Sequence, residues 1–304
     1  MSEVDTLSSI LEYFSERIAQ LTKHTERVTT DVPGLLLFNR KNTTPPIAVV
    51  YEPSVCLIAQ GEKLVIQGKD RFPYHARSYL LTSVHMPTLA CVTEASPFKP
   101  CLGVRLQIDV NIVSHLIADS GLPAPQQEDS ERCMTTGKVT LPLLEAFHRL
   151  LDLVTNKEDI PILSPIIQKE IFYRLLTGER GMQLRRITHS GSRNHQVSKA
   201  IQRMHLNFCD NLKVSELARE QGMSPSTFHH HFRAATGVSP HQFLKQIRLQ
   251  EARRLMLAES QDAATAAFHV GYESPSQFSR EYSRHFGSAP VRDITRLREQ
   301  GLSA

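Results

Sequence analysis

Ser224-Pro225-Ser226-Thr227-Phe228 recurs fifty positions later as Ser274-Pro275-Ser276-Gln277-Phe278. The echo runs on: Phe232 is answered by Tyr282, Gly237 by Gly287 and Pro240 by Pro290. Matched copies in one register imply duplicated structural units. Each copy opens a helix. The serine stands at the N-cap, where its hydroxyl takes up a first-turn N–H, and the proline sits at the first helical position, where its missing N–H costs nothing. The repeat therefore predicts two helices of one kind.

Each of these helices is preceded by a short one. Residues 214–221 end at Gly222 and residues 263–270 end at Gly271. A short helix, a glycine turn and a capped second helix make a helix-turn-helix, predicted twice, over 214–235 and 263–286. A long helix over 240–257 joins the units, with Phe243, Ile247 and Leu255 along one side. Another over 195–208 carries Val197, Ile201, Met204 and Phe208 on one face.

On the capped helices Phe228, Phe232, Phe278 and Tyr282 claim the buried side. Ser226, Thr227, His230 and Arg233 must then face out on the first, and Ser276, Gln277, Arg280 and Arg284 on the second. These are hydrogen-bonding and cationic groups, suited to the edges of bases in a major groove, with Arg280 fit for a bidentate contact to guanine. Base reading is assigned to Ser226, Thr227, His230, Ser276, Gln277 and Arg280. Phosphate contact is assigned to Ser224, Arg233, Ser274 and Arg284, the serines lying at exposed helix N-termini. The charge distribution agrees. From Arg193 onward there are 15 Lys and Arg against 10 Asp and Glu, and eight of the 14 histidines, while the rest of the chain has a net charge of −1. A basic segment of this kind suits a polyanion such as double-stranded DNA.

The stretch Val270-Gly271-Tyr272-Glu273-Ser274-Pro275-Ser276-Gln277-Phe278-Ser279-Arg280-Glu281-Tyr282, followed by Phe286-Gly287 and Pro290, resembles the signature region of the AraC/XylS family of bacterial transcription regulators. The resemblance covers residues 195–296. It implies base-facing roles for Ser226 and His230 on the first helix and for Ser276, Gln277 and Arg280 on the second. His230 departs from the longer cation common there, which puts the stronger base reading on the second helix.

The N-terminal part has another texture. Short apolar runs alternate with turns from Gly34 to Asp109: 35–38, 47–51, 55–59, 64–66, 79–81, 89–92 and 102–106. Close, regular spacing of this kind predicts a sandwich or barrel. Residues 7–21, 109–119, 143–154 and 164–176 read as helices and 122–140 as a loop. The apolar stripes Leu143, Leu144, Phe147, Leu150, Leu151, Val154 and Ile166, Ile167, Ile171, Leu175 suit an internal core or a homodimer face. Three segments, 51–56, 92–97 and 103–106, resemble the family's effector domain. The likeness implies a cupin-like barrel over 34–109 that senses a small molecule, with helices over 110–180. The fold class is thus α+β in two domains: an effector domain over 1–188, a linker over 189–194 and an all-α DNA-binding domain over 195–296. RNA polymerase is the further partner that the resemblance implies.

Other chemistries find less support. His229-His230-His231 cannot converge on one metal ion, because adjacent helical residues point about 100° apart. A cupin-type metalloenzyme fused to a DNA-binding module is the alternative reading. The strand region offers it only His75 and His85, without HxH spacing. No phosphate loop, GxSxG or HExxH is present, so neither a catalytic residue nor a cofactor is assigned. The five cysteines lack CxxC spacing and read as free thiols in a reducing, cytoplasmic setting. Cys56, Cys91 and Cys101 are the thiols that an effector could modify. No apolar run reaches the roughly 18 residues of a membrane span.

Overall fold

The computed structural model describes residues 3–122, 132–188 and 193–299. Helix α1 (Glu3–Leu21) leads into β1 (Arg27–Thr29), β2 (Leu35–Arg40), β3 (Ile47–Tyr51), β4 (Ser54–Gln60), β5 (Glu62–Gln67), β6 (Asp70–His75), β7 (Ser78–Thr82), β8 (Met86–Glu94) and β9 (Cys101–Gln107). Then follow α2 (Val110–Ser120), β10 (Met134–Lys138), α3 (Leu141–Asp152), α4 (Ile160–Thr177) and α5 (Gly181–Thr188). The C-terminal part is α6 (Arg193–Leu206), α7 (Val214–Glu220), α8 (Pro225–Thr236), α9 (Pro240–Ala258), α10 (Ala263–His269), α11 (Pro275–Phe286) and α12 (Pro290–Glu299).

The strands form two antiparallel sheets, ordered β1-β2-β9-β4-β7-β10 and β3-β8-β5-β6. In the first, Leu35, Leu37, Val55 and Leu57 pack under α1 and α3. Their neighbours Leu36, Phe38, Cys56 and Ile58 join a cluster with Val65, Tyr74, Met86 and Val92 of the second sheet. Successive strand residues point to opposite faces. Both faces are covered here, so these strands read as unbroken apolar runs. The β-rich character predicted for this part holds, but the strands form two open sheets in place of a closed barrel, and β1 and β10 of the first sheet lie outside the predicted 34–109.

In the N-terminal part three strands and one helix were not predicted from the sequence. Only Phe72 and Tyr74 of β6 are buried, and Pro73 masks it. It forms a sheet edge, where proline is tolerated. The short β1 lies at another edge. The predicted loop over 122–140 contains β10, which pairs antiparallel with β7. Gly137 interrupts its β-branched pattern, but a Cβ there would lie 2.4 Å from the Tyr79 ring. Amphipathic α5 follows closely on α4, behind Gly178 and Gly181. On α4 the inward row is Ile160, Ile167, Ile171, Phe172 and Leu175, whereas Ile166 is 61% exposed and leaves the predicted stripe. Residues 123–131, within the predicted loop, and 189–192, within the predicted linker, lie outside the described residues, and Arg193 and Asn194 begin α6.

The repeat produces seven helices. Ser224 Oγ accepts from Thr227 N–H to cap α8, and Ser274 Oγ accepts from Gln277 N–H to cap α11. Gly237 and Gly287, both at φ +76°, end these helices in the left-handed conformation. The two turns share their bonding: Met223 N–H donates to Ala218 O at 2.9 Å and Tyr272 N–H to Ala267 O at 3.0 Å. The second turn is one residue longer, holding Tyr272 and Glu273 between Gly271 and Ser274 where the first holds Met223 alone.

The two helix-turn-helix units differ in what they pack on. Leu249, Ala252, Met256, Phe278, Tyr282, Ile294 and Leu297 give the second unit its own core. The first unit, through Val197, Ile201, Phe228, Phe232 and Phe243, is continuous with the cluster between the sheets. Hydrogen bonds reinforce that contact: Gln67 Nε2 donates to Thr236 O (2.8 Å), Cys133 N–H to Ala235 O (3.1 Å) and Gln250 Nε2 to Val49 O (3.3 Å).

Candidate nucleic-acid interface

Both capped helices bury one side and offer the other to solvent. On α8 the buried residues are Phe228, His231, Phe232, Ala235 and Thr236. Ser224, Ser226, Thr227, His230 and Arg233 are exposed. On α11, Phe278 and Tyr282 are buried, Ser276, Gln277, Arg280 and Arg284 are exposed and Ser274 is half-buried. Arg233, Arg280 and Arg284 enter no ion pair and no side-chain hydrogen bond among the described residues, so their charges are available to an anion. The caps also occupy some of the assigned phosphate ligands. Ser224 Oγ lies 3.1 Å from Ser226 Oγ and 2.8 Å from Thr227 Oγ1. The histidine run splays as helix geometry requires: His229 is half-buried, His230 exposed and His231 buried. Helix α9 between the units has 19 residues, a length of ~28 Å, close to the ~34 Å between successive major grooves.

Several framework residues were not singled out from the sequence. Asp293 is fully buried and accepts from Arg253 Nη2 (3.2 Å), Tyr282 OH (2.9 Å) and Arg296 Nη2 (2.6 Å), joining α9, α11 and α12. Burial first, then the Asp293 charge, raises the Tyr282 phenol far above its usual range. Arg248 of α9 donates to three carbonyls, Phe208 O (2.7 Å), Gly271 O (3.1 Å) and Asp210 O (2.8 Å), and so pins the second turn to the end of α6. Glu281 of α11 accepts from Lys245, Tyr272 and Gln277. Acids and arginines spaced at ordinary helical intervals carry no signal for such long-range pairs.

In the N-terminal unit, Cys56, Cys91 and Cys101 are all buried. Burial raises the thiols of Cys91 and Cys101, the latter to about 11, opposite to the shift that activates a thiolate. Tyr74 OH lies 3.5 Å from Cys56 Sγ and 3.4 Å from Tyr51 OH. His75 and His85 do not meet. His75 is exposed at the end of β6, whereas the His85 ring lies 5.0 Å from that of His205 of α6, tilted by 49°. Among the described residues no group of three or more His, Cys, Asp or Glu is placed to hold a metal ion, and no helix is long and apolar enough to cross a membrane. A cavity of about 460 Å³ opens between α1 and the strands, lined by Glu12, Glu62, His75, Arg77, Glu94 and Lys99 among others.

Known proteins match both parts. The helix-turn-helix domain family matches residues 217–294, and the AraC-type transcriptional regulator N-terminus matches residues 31–183. The virulence regulon transcriptional activator VirF of Yersinia enterocolitica is 28% identical over 151 residues, covering 49% of this chain and 55% of VirF. The transcriptional activator RhaS of Escherichia coli O1:K1 is 23% identical over 182 residues, covering 58% of this chain and 62% of RhaS. The chain spans about half the length of the curated relatives it matches first. Among solved structures, an apo variant of ToxT from Vibrio cholerae superposes with a TM-score of 0.57 at 14% identity, over 88% of this chain and 99% of that one. Wild-type ToxT bound to an unsaturated fatty acid gives 0.56 at 12% identity, over 92% and 98%. ToxT thus shares the fold across both units. With the N-terminal family spanning half of the chain and the duplicated helix-turn-helix behind it, the chain belongs to the AraC-type family of transcriptional regulators.

Proposed function

We propose that the chain is a sequence-specific DNA-binding transcription regulator controlled by a small-molecule effector. One observation carries the reading: two capped helices, built alike and joined by one rigid helix, present on their exposed sides hydrogen-bonding groups and arginines that are unpaired among the described residues. Ser226, Thr227, His230, Ser276, Gln277 and Arg280 read base edges. Arg233 and Arg284, with the helix N-termini at Ser224 and Ser274, hold phosphates. The DNA-reading domain spans 195–296 and the effector domain 1–188.

The packing of the first unit against the strands supports a coupling mechanism. Gln67 and Cys133 hold the C-terminal end of α8, so the effector domain touches a reading helix directly. A ligand that binds the docked and undocked arrangements with different affinity shifts their populations, and with them the spacing of α8 and α11. ToxT was captured with an unsaturated fatty acid. Here the open cavity beside α1, lined by Glu12, Glu62, Arg77, Glu94 and Lys99, offers a polar site for a small molecule. RNA polymerase is the partner on which such a regulator acts. The stripes predicted as core or dimer face pack inward, apart from Ile166, and the exposed Ile162, Ile166 and Tyr173 of α4 support a homodimer face instead.

Footprinting on the DNA flanking the gene, with and without candidate small molecules, tests the reading. Two protected patches about one helical turn apart are expected, changing with the active compound. Protection that does not depend on sequence would refute specific reading.

A further inference from the structure

Glu281 is a carboxylate on a helix whose exposed groups are otherwise neutral or cationic. It stands one turn after Gln277, and its side chain is only 17% exposed. Oε1 accepts from Lys245 Nζ of α9 at 2.8 Å and from Gln277 Nε2 at 3.3 Å, while Oε2 accepts from Tyr272 OH at 2.9 Å. Burial pushes its carboxyl up, but the hydrogen bonds from Lys245, Tyr272 and Gln277 outweigh that and hold it below the usual range, so it stays ionised. A glutamine and a glutamate four apart on a helix often meet only loosely. Here the glutamate is anchored from two other directions, by the connecting helix and by the turn. The first unit has no counterpart. His231 stands at the matching position, Thr227 at that of Gln277, and α8 contains no acid at all.

We propose that Glu281 is a positioning residue for base reading by Gln277. A free carboxamide flips between two orientations and so presents either a donor or an acceptor to a given base edge. By taking one N–H of Gln277, Glu281 fixes the orientation and leaves Oε1 and the remaining N–H for the groove, an acceptor and donor pair that matches the edge of adenine. Lys245 offsets the carboxylate charge beside the phosphates and ties the orientation to α9. The second unit thus reads a base through a pre-set amide, and the first lacks this device. The inference rests on the DNA-reading role proposed above.

The test measures binding of the full chain to a selected operator and to the same operator with each base pair changed in turn. Gln277→Ala is expected to flatten preference at one base pair. Glu281→Met, which keeps the volume but has no acceptor, is expected to weaken preference at that same pair by about three- to tenfold, with affinity for random DNA undiminished. Combined with Gln277→Ala it should add nothing. Glu281→Gln keeps an acceptor oxygen and should retain most of the preference. Full discrimination in Glu281→Met, alongside a loss in Gln277→Ala, overturns the positioning role while leaving DNA reading intact. If Gln277→Ala changes no preference, base reading by Gln277 itself is wrong and the proposal falls with it. Should Glu281→Met not fold, side-chain amide relaxation in the DNA-free wild type decides: an ordered Gln277 amide supports the proposal and a freely averaging one overturns it.

Discussion

At the scale of single residues, exposure separates the outward arginines of α11 from the framework arginine Arg253 of α9, as composition cannot. Arg280 and Arg284 are four apart on α11, both exposed and, among the described residues, both unpaired. Arg280→Ala is expected to weaken specific binding by about 1–3 kcal/mol and relax choice at one base. Arg284→Ala should weaken binding to all sequences alike and reduce its salt dependence. Equal losses on specific and random DNA for Arg280→Ala would remove its base-reading assignment. Asp293 belongs to the framework. Replacing it with alanine strands Arg253, whose side chain is 12% exposed. Removing one partner of a buried pair costs about 3–5 kcal/mol, so Asp293→Ala should lower the unfolding midpoint in denaturant. The loss should fall on the second unit, which has its own core.

At the scale of elements, the turns are the places where the backbone dictates the residue. Gly222 and Gly271 both adopt positive φ, +68° and +85°. Around Gly222 a Cβ would meet nothing within 4 Å, whereas at Gly271 it would lie 2.4 Å from Cys209 O. Gly222→Ala should therefore cost only the left-handed strain of about 1–2 kcal/mol. Gly271→Ala should cost more, because Cys209, Arg248 and the turn must all shift. Thermal unfolding of the two variants checks the order, and equal losses would contradict the close packing seen at Gly271. The helices were the most legible elements. Pro275–Phe286 falls at its predicted bounds because serine, proline and glycine mark both ends. Strand β10 was illegible because its partner β7 lies far back along the chain and Gly137 breaks its pattern, and β6, although it pairs with the adjacent β5, because Pro73 breaks its pattern.

At the scale of the molecule, the contact between the strands and the first unit makes the two parts interdependent. His85 and His205 meet across it. Burial and the neighbouring His85 lower the His205 imidazole to about 4, and burial lowers His85, with Glu52 opposing. The folded chain therefore binds these protons more weakly than the unfolded chain does. The stability they contribute is complete above the ordinary histidine pKa of about 6.5 and is lost as pH falls toward 4. For His205 this amounts to ~3 kcal/mol. Unfolding midpoints should fall between pH 6.5 and 4.5, and His205→Phe should flatten that slope. An unchanged slope in the variant would show that other groups set the acid response.

The sequence by itself determined the duplication, the ends of the reading helices, their exposed faces and the β-rich character of the N-terminal part. All of these follow from local rules: capping, helical period and strand spacing act within a few residues. Only the tertiary structure decided which partners those residues take. It placed Lys245, Tyr272 and Gln277 on Glu281, buried Asp293 among two arginines and a tyrosine, set His85 against His205, and packed one helix-turn-helix unit on the strands while giving the other its own core. Contacts between residues tens or hundreds of positions apart depend on how elements pack in space, and no local pattern in the chain encodes that.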